Sequence, residues 1–216
     1  MKLWKIFTLL LVTILLVSAC GKDRTPTDNP AGAAGGKDAK KEVESVISMH
    51  DYFPPDGSKG HFKGEENELA DFEYEVSQVG ENYFIVFENS NGTLLRRIFE
   101  IQGDRIDMLD SKTVDIRKDF PSLEELEKMD PISVYLQQPF SEGTVFGDWT
   151  IVQTGVKVDT PYQAFDNAIV IESKEKDVII RKYFVSGFGE VKRESAMETG
   201  NGNIIAATSA LSSLGK

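Results

Sequence analysis

The chain has 216 residues, 40% of them hydrophobic, with 24 Lys and Arg against 35 Asp and Glu and a formal net charge of −11. Nucleic acid repels so acidic a surface, since its binding depends on clustered basic residues, and that class of partner is excluded. The single cysteine, Cys20, allows no intramolecular disulfide, so the core alone must hold the fold, which suits one domain of roughly 150 residues better than several small ones.

The first predicted element begins with Lys2 and Lys5, continues through an almost wholly apolar run at residues 6–17, and closes on Val17, Ser18, Ala19 and Cys20. A charged start, an apolar run of about 12 residues and small residues at its end make a secretory signal. The run is shorter than the ~20 residues a spanning helix needs. Cysteine directly after the small residues resembles the bacterial lipobox. That resemblance implies cleavage before Cys20 and a diacylglycerol group on its sulfur, which leaves the thiol neither nucleophilic nor free to bind metal. Loss of Lys2 and Lys5 takes the charge from −11 to −13. Attachment to the membrane, with the protein on its extracytoplasmic face, then rests on acyl chains, at about 0.8 kcal/mol per buried methylene.

Residues 1–19 are thus the expected signal peptide, and residues 20–45 an acylated cysteine with a flexible tether. From Gly21 to Lys41 there is no aromatic and no β-branched apolar residue. Such a composition cannot bury enough surface to order itself.

The expected β domain covers residues 46–198. Its start holds both histidines, His50 and His61, around the turn-like run Tyr52, Phe53, Pro54, Pro55, Asp56, Gly57. Asp51, Glu65 or Glu66 could join them at a metal, but nothing in the spacing fixes that geometry, and surface histidines are the plainer reading. No metal and no other cofactor is expected. Tyr52, Phe53 and Phe62 suit packing on the first sheet better than a binding lip.

Phe72, Tyr74 and Val76 alternate with Glu73, Glu75 and Ser77, which predicts a strand with one wet face. Residues 83–88 form a second strand. The run from Asn89 to Gly92 then turns the chain, because Asn91-Gly92 supplies the positive φ angles of a tight hairpin. Residues 93–101 are the third strand, and Gln102-Gly103-Asp104 leads into a fourth at residues 105–109. Arg96 and Arg97 point to opposite faces of their strand, so pairing with glutamates is expected rather than an anion site. Ser122 caps a short helix, residues 122–129, with Glu125 completing a capping box, Pro131 as its stop, and Leu123 and Leu126 toward the core. Glu124, Glu125 and Glu127 there serve the helix dipole rather than a metal.

In the second half, residues 149–158, 168–173, 178–185 and 190–195 read as strands. Thr160-Pro161 and Phe165 form an excursion, Lys174 to Asp177 a turn, and Gly187-Phe188-Gly189 another. A shift of 85 positions lays Phe84-Ile85-Val86 on Ile169-Val170-Ile171, Asn91-Gly92 on Lys176-Asp177, and Arg96-Arg97-Ile98-Phe99 on Arg181-Lys182-Tyr183-Phe184, with Ile106 on Val191. Two copies of one meander, about residues 50–110 and 134–195, account for this register. The expected fold is all-β with a short helix: two duplicated antiparallel β-meanders sharing one core as a curved sheet or half-barrel. Trp149 should be substantially buried, and residues 199–216 are expected to be a polar tail.

The second half carries a resemblance. Thr160-Pro161, Phe165-Asp166-Asn167, Arg181-Lys182-Tyr183-Phe184, Gly187, Gly189, Val191 and Lys192 together resemble a recurrent pattern in small surface lipoproteins of Gram-positive bacteria. Tyr162-Gln163 stands where that pattern has glycine after Thr-Pro. The resemblance implies a location and a β-rich fold and brings no catalytic residue. A more distant architectural similarity is to the half-barrel sheets of lipoprotein carriers.

No serine sits in a nucleophile elbow, no calcium loop is spaced along the chain, and Gly187-Phe188-Gly189 lacks the pattern and following helix of a phosphate loop. No catalytic residue is therefore assigned. The leading expectation is a membrane-anchored extracytoplasmic lipoprotein serving as a non-catalytic interaction module, with a protein or lipid partner that no motif identifies. The alternative is a carrier or chaperone of lipid or another apolar ligand, because residues 83–86 and 178–180 are apolar on both strand faces. A hydrolase with dispersed carboxylates comes third. If the duplication is real, one sheet edge should bring together Asn89, Asn91 and Gly92 with Lys174, Lys176 and Asp177, the candidate partner surface.

Overall fold

Short alternating strands joined by glycine- and asparagine-bearing turns pair most readily with their sequence neighbours, and this chain does so within each of its two halves. A computed structural model describes residues 47–65, 68–117 and 120–216, and these residues form one compact unit. The expected signal peptide, Val17, Ser18, Ala19, the lipidation residue Cys20, the tether and Glu66 lie outside the described residues.

The strands are β1 (Lys59–Glu65), β2 (Phe72–Val79), β3 (Tyr83–Ser90), β4 (Thr93–Gln102), β5 (Arg105–Thr113), β6 (Ser133–Gln137), β7 (Val145–Phe146), β8 (Trp149–Asp159), β9 (Ala164–Glu175), β10 (Val178–Val185), β11 (Gly189–Glu198) and β12 (Ile204–Gly215), with helix α1 (Leu123–Leu126) between β5 and β6. Their order in the sheet is β6-β5-β4-β3-β2-β1-β12-β11-β10-β9-β8-β7. Each half is a six-stranded meander, and the halves join where β1 pairs β12, from Lys59 opposite Gly215 to Glu65 opposite Thr208. Among the described residues only the seam between β6 and β7 lacks a ladder, so the sheet of 12 strands is nearly closed into a barrel.

The expected repeat holds in its first two strands. Phe84 faces Phe99 as Ile169 faces Phe184, and the two turns share a left-handed residue, Asn91 at φ 49° and Lys176 at φ 51°. The register then slips. Phe99 pairs with Met108 but Phe184 with Glu190, an offset of 82, because the second hairpin turns two residues sooner: Gln102 faces Arg105 three residues beyond Phe99, whereas Val185 faces Gly189 only one beyond Phe184. Ile106 and Val191 are therefore not equivalent positions. Both copies nevertheless carry a bulge at the same point, beside Ile98/Phe99 and beside Tyr183/Phe184.

Three further expectations are corrected. Residues 199–216 are no polar tail, since β12 is hydrogen-bonded on both sides, to β1 and to β11. The helix is a single turn; its capping box forms, with Ser122 N donating to Glu125 Oε2 at 2.8 Å, but Leu123 is 43% exposed while Leu126 is buried. One turn has room to aim one leucine inward, and Leu123 lies instead against Gly80. Trp149 is only partly buried, at the margin of the core.

The main core fills the barrel with residues of both halves, including Phe53, Phe84, Phe99, Tyr135, Ile169 and Phe184. A second cluster lies outside the sheet, where Leu126 covers Tyr83, Ile85, Phe87, Ile98 and Leu109. This accounts for the two apolar faces of β3: Phe84 and Val86 point inward, while Ile85 and Phe87 lie beneath α1. Fully burying such a side chain stabilises the fold by about 1.5–3 kcal/mol.

Up-and-down pairing also sorts the turns between the two barrel ends. The β3–β4 and β9–β10 turns share one end. The opposite end is plugged by the 3-10 turn Met49–Tyr52. There His50 Nε2 donates to the Glu81 carbonyl at 3.1 Å, Gly187 N to the Asp51 carbonyl at 2.6 Å, and Gln138 Nε2 to the Ile47 carbonyl at 3.0 Å. Phe53 follows and stacks on Phe84 with ring centroids 4.5 Å apart.

Candidate functional site

Alternation along a strand places a charged residue inside the barrel whenever it shares parity with core residues. Glu88 has the parity of Phe84 and Val86, Arg97 that of Phe99 and Ile101, and Lys182 that of Phe184. On β11 the bulge at Val191 does the rest. It turns Glu190 and Arg193, three residues apart, to one face, where Arg193 Nε donates to Glu190 Oε1 at 2.6 Å.

The five side chains form one network in mid-barrel. Arg193 Nη2 reaches Glu88 Oε1 at 3.3 Å, and Arg97 Nη1 donates to the same oxygen. Lys182 Nζ lies 3.6 Å from Glu190 Oε2, to which the Tyr135 hydroxyl also donates at 2.8 Å. Aromatic faces complete the setting: Lys182 sits 4.5 Å over the Tyr135 ring and 5.2 Å over Trp149, and Arg193 sits 4.9 Å over Phe72. Three cations thus face two carboxylates. Arg97 and Lys182 occupy equivalent places in the two repeats, so the duplication itself brings two positive charges together.

Titration follows from this layout. Burial alone would raise the Glu190 carboxyl, but Arg193 and Lys182 outweigh it and hold the group at about 2. Glu88 is lowered in the same way, its burial overcome by Arg193 and Arg97. Burial drives the Lys182 ammonium down to about 8; Glu190 resists and Arg193 and Arg97 assist. Burial, with Glu190 alongside, pushes the Tyr135 phenol well above its ordinary range.

Toward the plugged end lies a cavity of about 50 Å³ lined by Tyr52, Phe53, Phe62, Tyr74, Phe99 and Tyr135, among others, with Glu190 and Arg193 on its wall. This is room for a few waters and not for an acyl chain. The Tyr74 hydroxyl is buried beside it with no hydrogen-bond partner among the described residues. Its ring lies on Gly60, where an added Cβ would come within 2.3 Å of it. Toward the other end the barrel is open. One cleft of about 360 Å³ is lined by Ser173, Glu175, Val178, Ile180, Met197 and Glu198, with Lys176 and Asp177 of the β9–β10 turn. A second, of about 260 Å³, runs over Phe72, Glu88 and Arg193 between Leu69, Ser90, Ser195, Ala207 and Ser209.

The residues singled out in the sequence fall as follows. The turns bearing Asn89, Asn91 and Gly92 and bearing Lys174, Lys176 and Asp177 stand at the same open end; Lys176 and Asp177 line a cleft, and Asn91 Nδ2 reaches the Leu69 carbonyl at 3.5 Å. Tyr52, Phe53 and Phe62 are core residues. His61 lies 2.8 Å from Ser212 Oγ and 3.7 Å from Asp71, whereas His50 caps the plugged end. No group of three or more His, Cys, Asp or Glu residues is arranged for a metal among the described residues. Glu124 pairs with Lys128 on the helix surface at 2.6 Å. Arg96 and Arg181 point out of the barrel, to Asp110 and Glu172, while Arg97 and Lys182 point in. That split is the one expected; the meeting of the inward members with Arg193 was missed.

Fold and lumen together define a class: an up-and-down β protein of twelve strands with a charged interior floor, one plugged end and one open end. No protein-family model matches the sequence, and no curated protein matches it. Two crystal structures are similar in fold. One is of a protein from Bacteroides fragilis, inferred to be exported, with a YmcC-like fold, at 15% identity and a TM-score of 0.47, covering 76% of this chain and 99% of that one. The other is of an inferred lipoprotein from Parabacteroides distasonis, at 14% identity and a TM-score of 0.49, covering 76% and 98%. Among the described residues no helix is long and apolar enough to cross a membrane.

Proposed function

We propose that this protein is a lipid-anchored extracytoplasmic binding protein without catalytic activity, held to the membrane through diacylglyceryl-Cys20 and engaging its partner at the open end of the barrel. The observation that carries the reading is the inequality of the two ends. One is filled by Met49, Tyr52 and Phe53, and the other keeps two clefts rimmed by turns of both repeats. The described chain enters the barrel at the plugged end, where Gln138 Nε2 donates to the Ile47 carbonyl. The interior charges are paired with one another, Lys182 with Glu190 and both arginines with Glu88, which favours binding over turnover. A cavity of about 50 Å³ in the filled half argues against an apolar cargo enclosed there.

Metabolic labelling with an alkyne fatty acid, followed by membrane fractionation, tests the anchor. The native protein should be labelled and membrane-bound, and Cys20→Ser unlabelled and released; a Cys20→Ser variant still labelled and sedimenting with membranes refutes the anchor. A photo-cross-linking residue placed at Lys176 or at Glu81 tests the end. Adducts in cell envelopes are expected from Lys176 alone, and equal adducts at Glu81 overturn the assignment.

A further inference from the structure

We infer that the open half of the barrel binds a small amphipathic monoanion, with its negative group on Arg193, the floor cation that lines a cleft, and its apolar body against Val178, Ile180 and Met197; Arg97 and Lys182 add their charge from behind Arg193. The inference rests on the binding reading above and gives the ligand's chemistry.

The floor comes first. Among the described residues its three cations face two carboxylates, a surplus of one positive charge inside a protein whose net charge is −11. A buried charge without a counter-charge is unfavourable, and an anion is the group that relieves it. Arg193 is only partly covered, its side chain 24% exposed, and bonds carboxylates through Nε and Nη2. Its remaining terminal nitrogen has no hydrogen bond among the described residues and is available to a further acceptor. The low ammonium of Lys182 agrees with the surplus, because neighbouring cations help to depress it.

The wall is apolar. Val178 and Ile180 are half-buried, and Met197, opposite Val178, is 42% exposed. Ile180 pairs with Ser195, a residue of the neighbouring cleft, so the two clefts of about 360 and 260 Å³ adjoin across one ladder. The larger falls by itself in the size range of small-molecule sites, and an apolar wall with a few convergent polar groups is their usual makeup. Glu175, Asp177 and Glu198 stand on the wall of the larger cleft with Lys176, and their charge disfavours ligands with several negative groups. A ligand with one charge and an apolar tail satisfies floor, wall and rim together.

The test uses 8-anilinonaphthalene-1-sulfonate, a fluorescent amphipathic monoanion, titrated into the full-length protein at pH 7. Saturable binding is expected, displaced by decanoate and at least tenfold less effectively by 1-decanol or decyltrimethylammonium. Arg193→Gln should weaken binding tenfold or more. Because that change strips both glutamates of a partner, Ile180→Asp on the half-buried wall and Lys182→Met on the floor serve beside it, each expected to weaken binding at least fivefold with the thermal unfolding transition retained. Phosphatidylglycerol vesicles separate a bilayer headgroup from a free amphiphile: the anchor-free Cys20→Ser protein should not sediment with them. Displacement by decanol equal to that by decanoate, native affinity in Ile180→Asp and Lys182→Met, or vesicle binding overturns the inference. If it fails while Lys176 still cross-links in envelopes, the ligand chemistry is wrong and binding at the open end stands.

Discussion

Replacing Lys182 by methionine is expected to stabilise the protein at neutral pH, the reverse of the usual result of deleting one member of an ion-pair network. Lys182 is the surplus cation: without it, Arg97 and Arg193 balance Glu88 and Glu190. Its ammonium falls from 10.5 to about 8 on folding, chiefly through burial. At 1.36 kcal/mol per pKa unit, keeping that proton below pH 8 costs the folded state about 3 kcal/mol. Between pH 8 and 10.5 the unfolded chain carries a proton on this residue that the folded chain lacks, so native stability rises with pH across that window. Methionine keeps the stem's contacts with Tyr135 and Trp149 and carries no charge. The gain over the native protein should therefore approach about 3 kcal/mol at pH 7 and fade toward pH 10.5. Urea unfolding of both proteins at one-unit steps from pH 6 to pH 10 measures it. A Lys182→Met protein less stable than the native one at pH 7, or a difference that does not change with pH, refutes the reasoning.

Acid should act through Glu190. Its folded pKa of about 2 against an ordinary 4.5 gives stability that is complete above pH 4.5 and lost as the pH falls toward 2, about 3 kcal/mol in all; Glu190→Gln should flatten that limb of a stability–pH curve. Gly189→Ala should destabilise by about 2 kcal/mol or more in urea, because φ is +75° there and the new Cβ would stand 2.6 Å from the Tyr52 carbonyl oxygen. Leu126→Ala should cost about 2–4 kcal/mol in the same assay by opening a cavity over Ile85 and Ile98, although it lies outside the barrel.

What could be read in the sequence was what short-range physics decides. Asn91-Gly92 needs only its own φ angles, and Ser122 with Glu125 only one helical turn, so turn and cap stand where expected. Strand β12 was missed because its Ala, Ser and Thr residues give no apolar period; it is held by ladders to residues far off in β1 and β11. Strand β1, with Phe62 its one large apolar residue, failed in the same way. The charged floor left a signal that the habit of placing charges outward conceals. In the run Arg96-Arg97-Ile98-Phe99-Glu100-Ile101, Arg97 has the parity of two buried residues, and Lys182 has that of Phe184. Glu190 gave no such sign, because its aim depends on a bulge that only pairing with β10 creates.

The position of the unladdered seam has a consequence for how the sheet is completed. Because β6 and β7 are adjacent in sequence yet unpaired, while β1 and β12 are paired, neither meander is sealed by its own local contacts. Sealing requires a ladder between segments on the order of 150 residues apart, a contact whose loop entropy must be spent before it returns anything. Until it forms, β1 and β12 are bare edges able to pair with another copy as readily as with each other. A circular permutant of residues 47–216, cut within residues 138–144 and with Lys216 joined to Ile47, would make that ladder local while breaking no strand pairing, and should refold faster with less aggregation at high concentration.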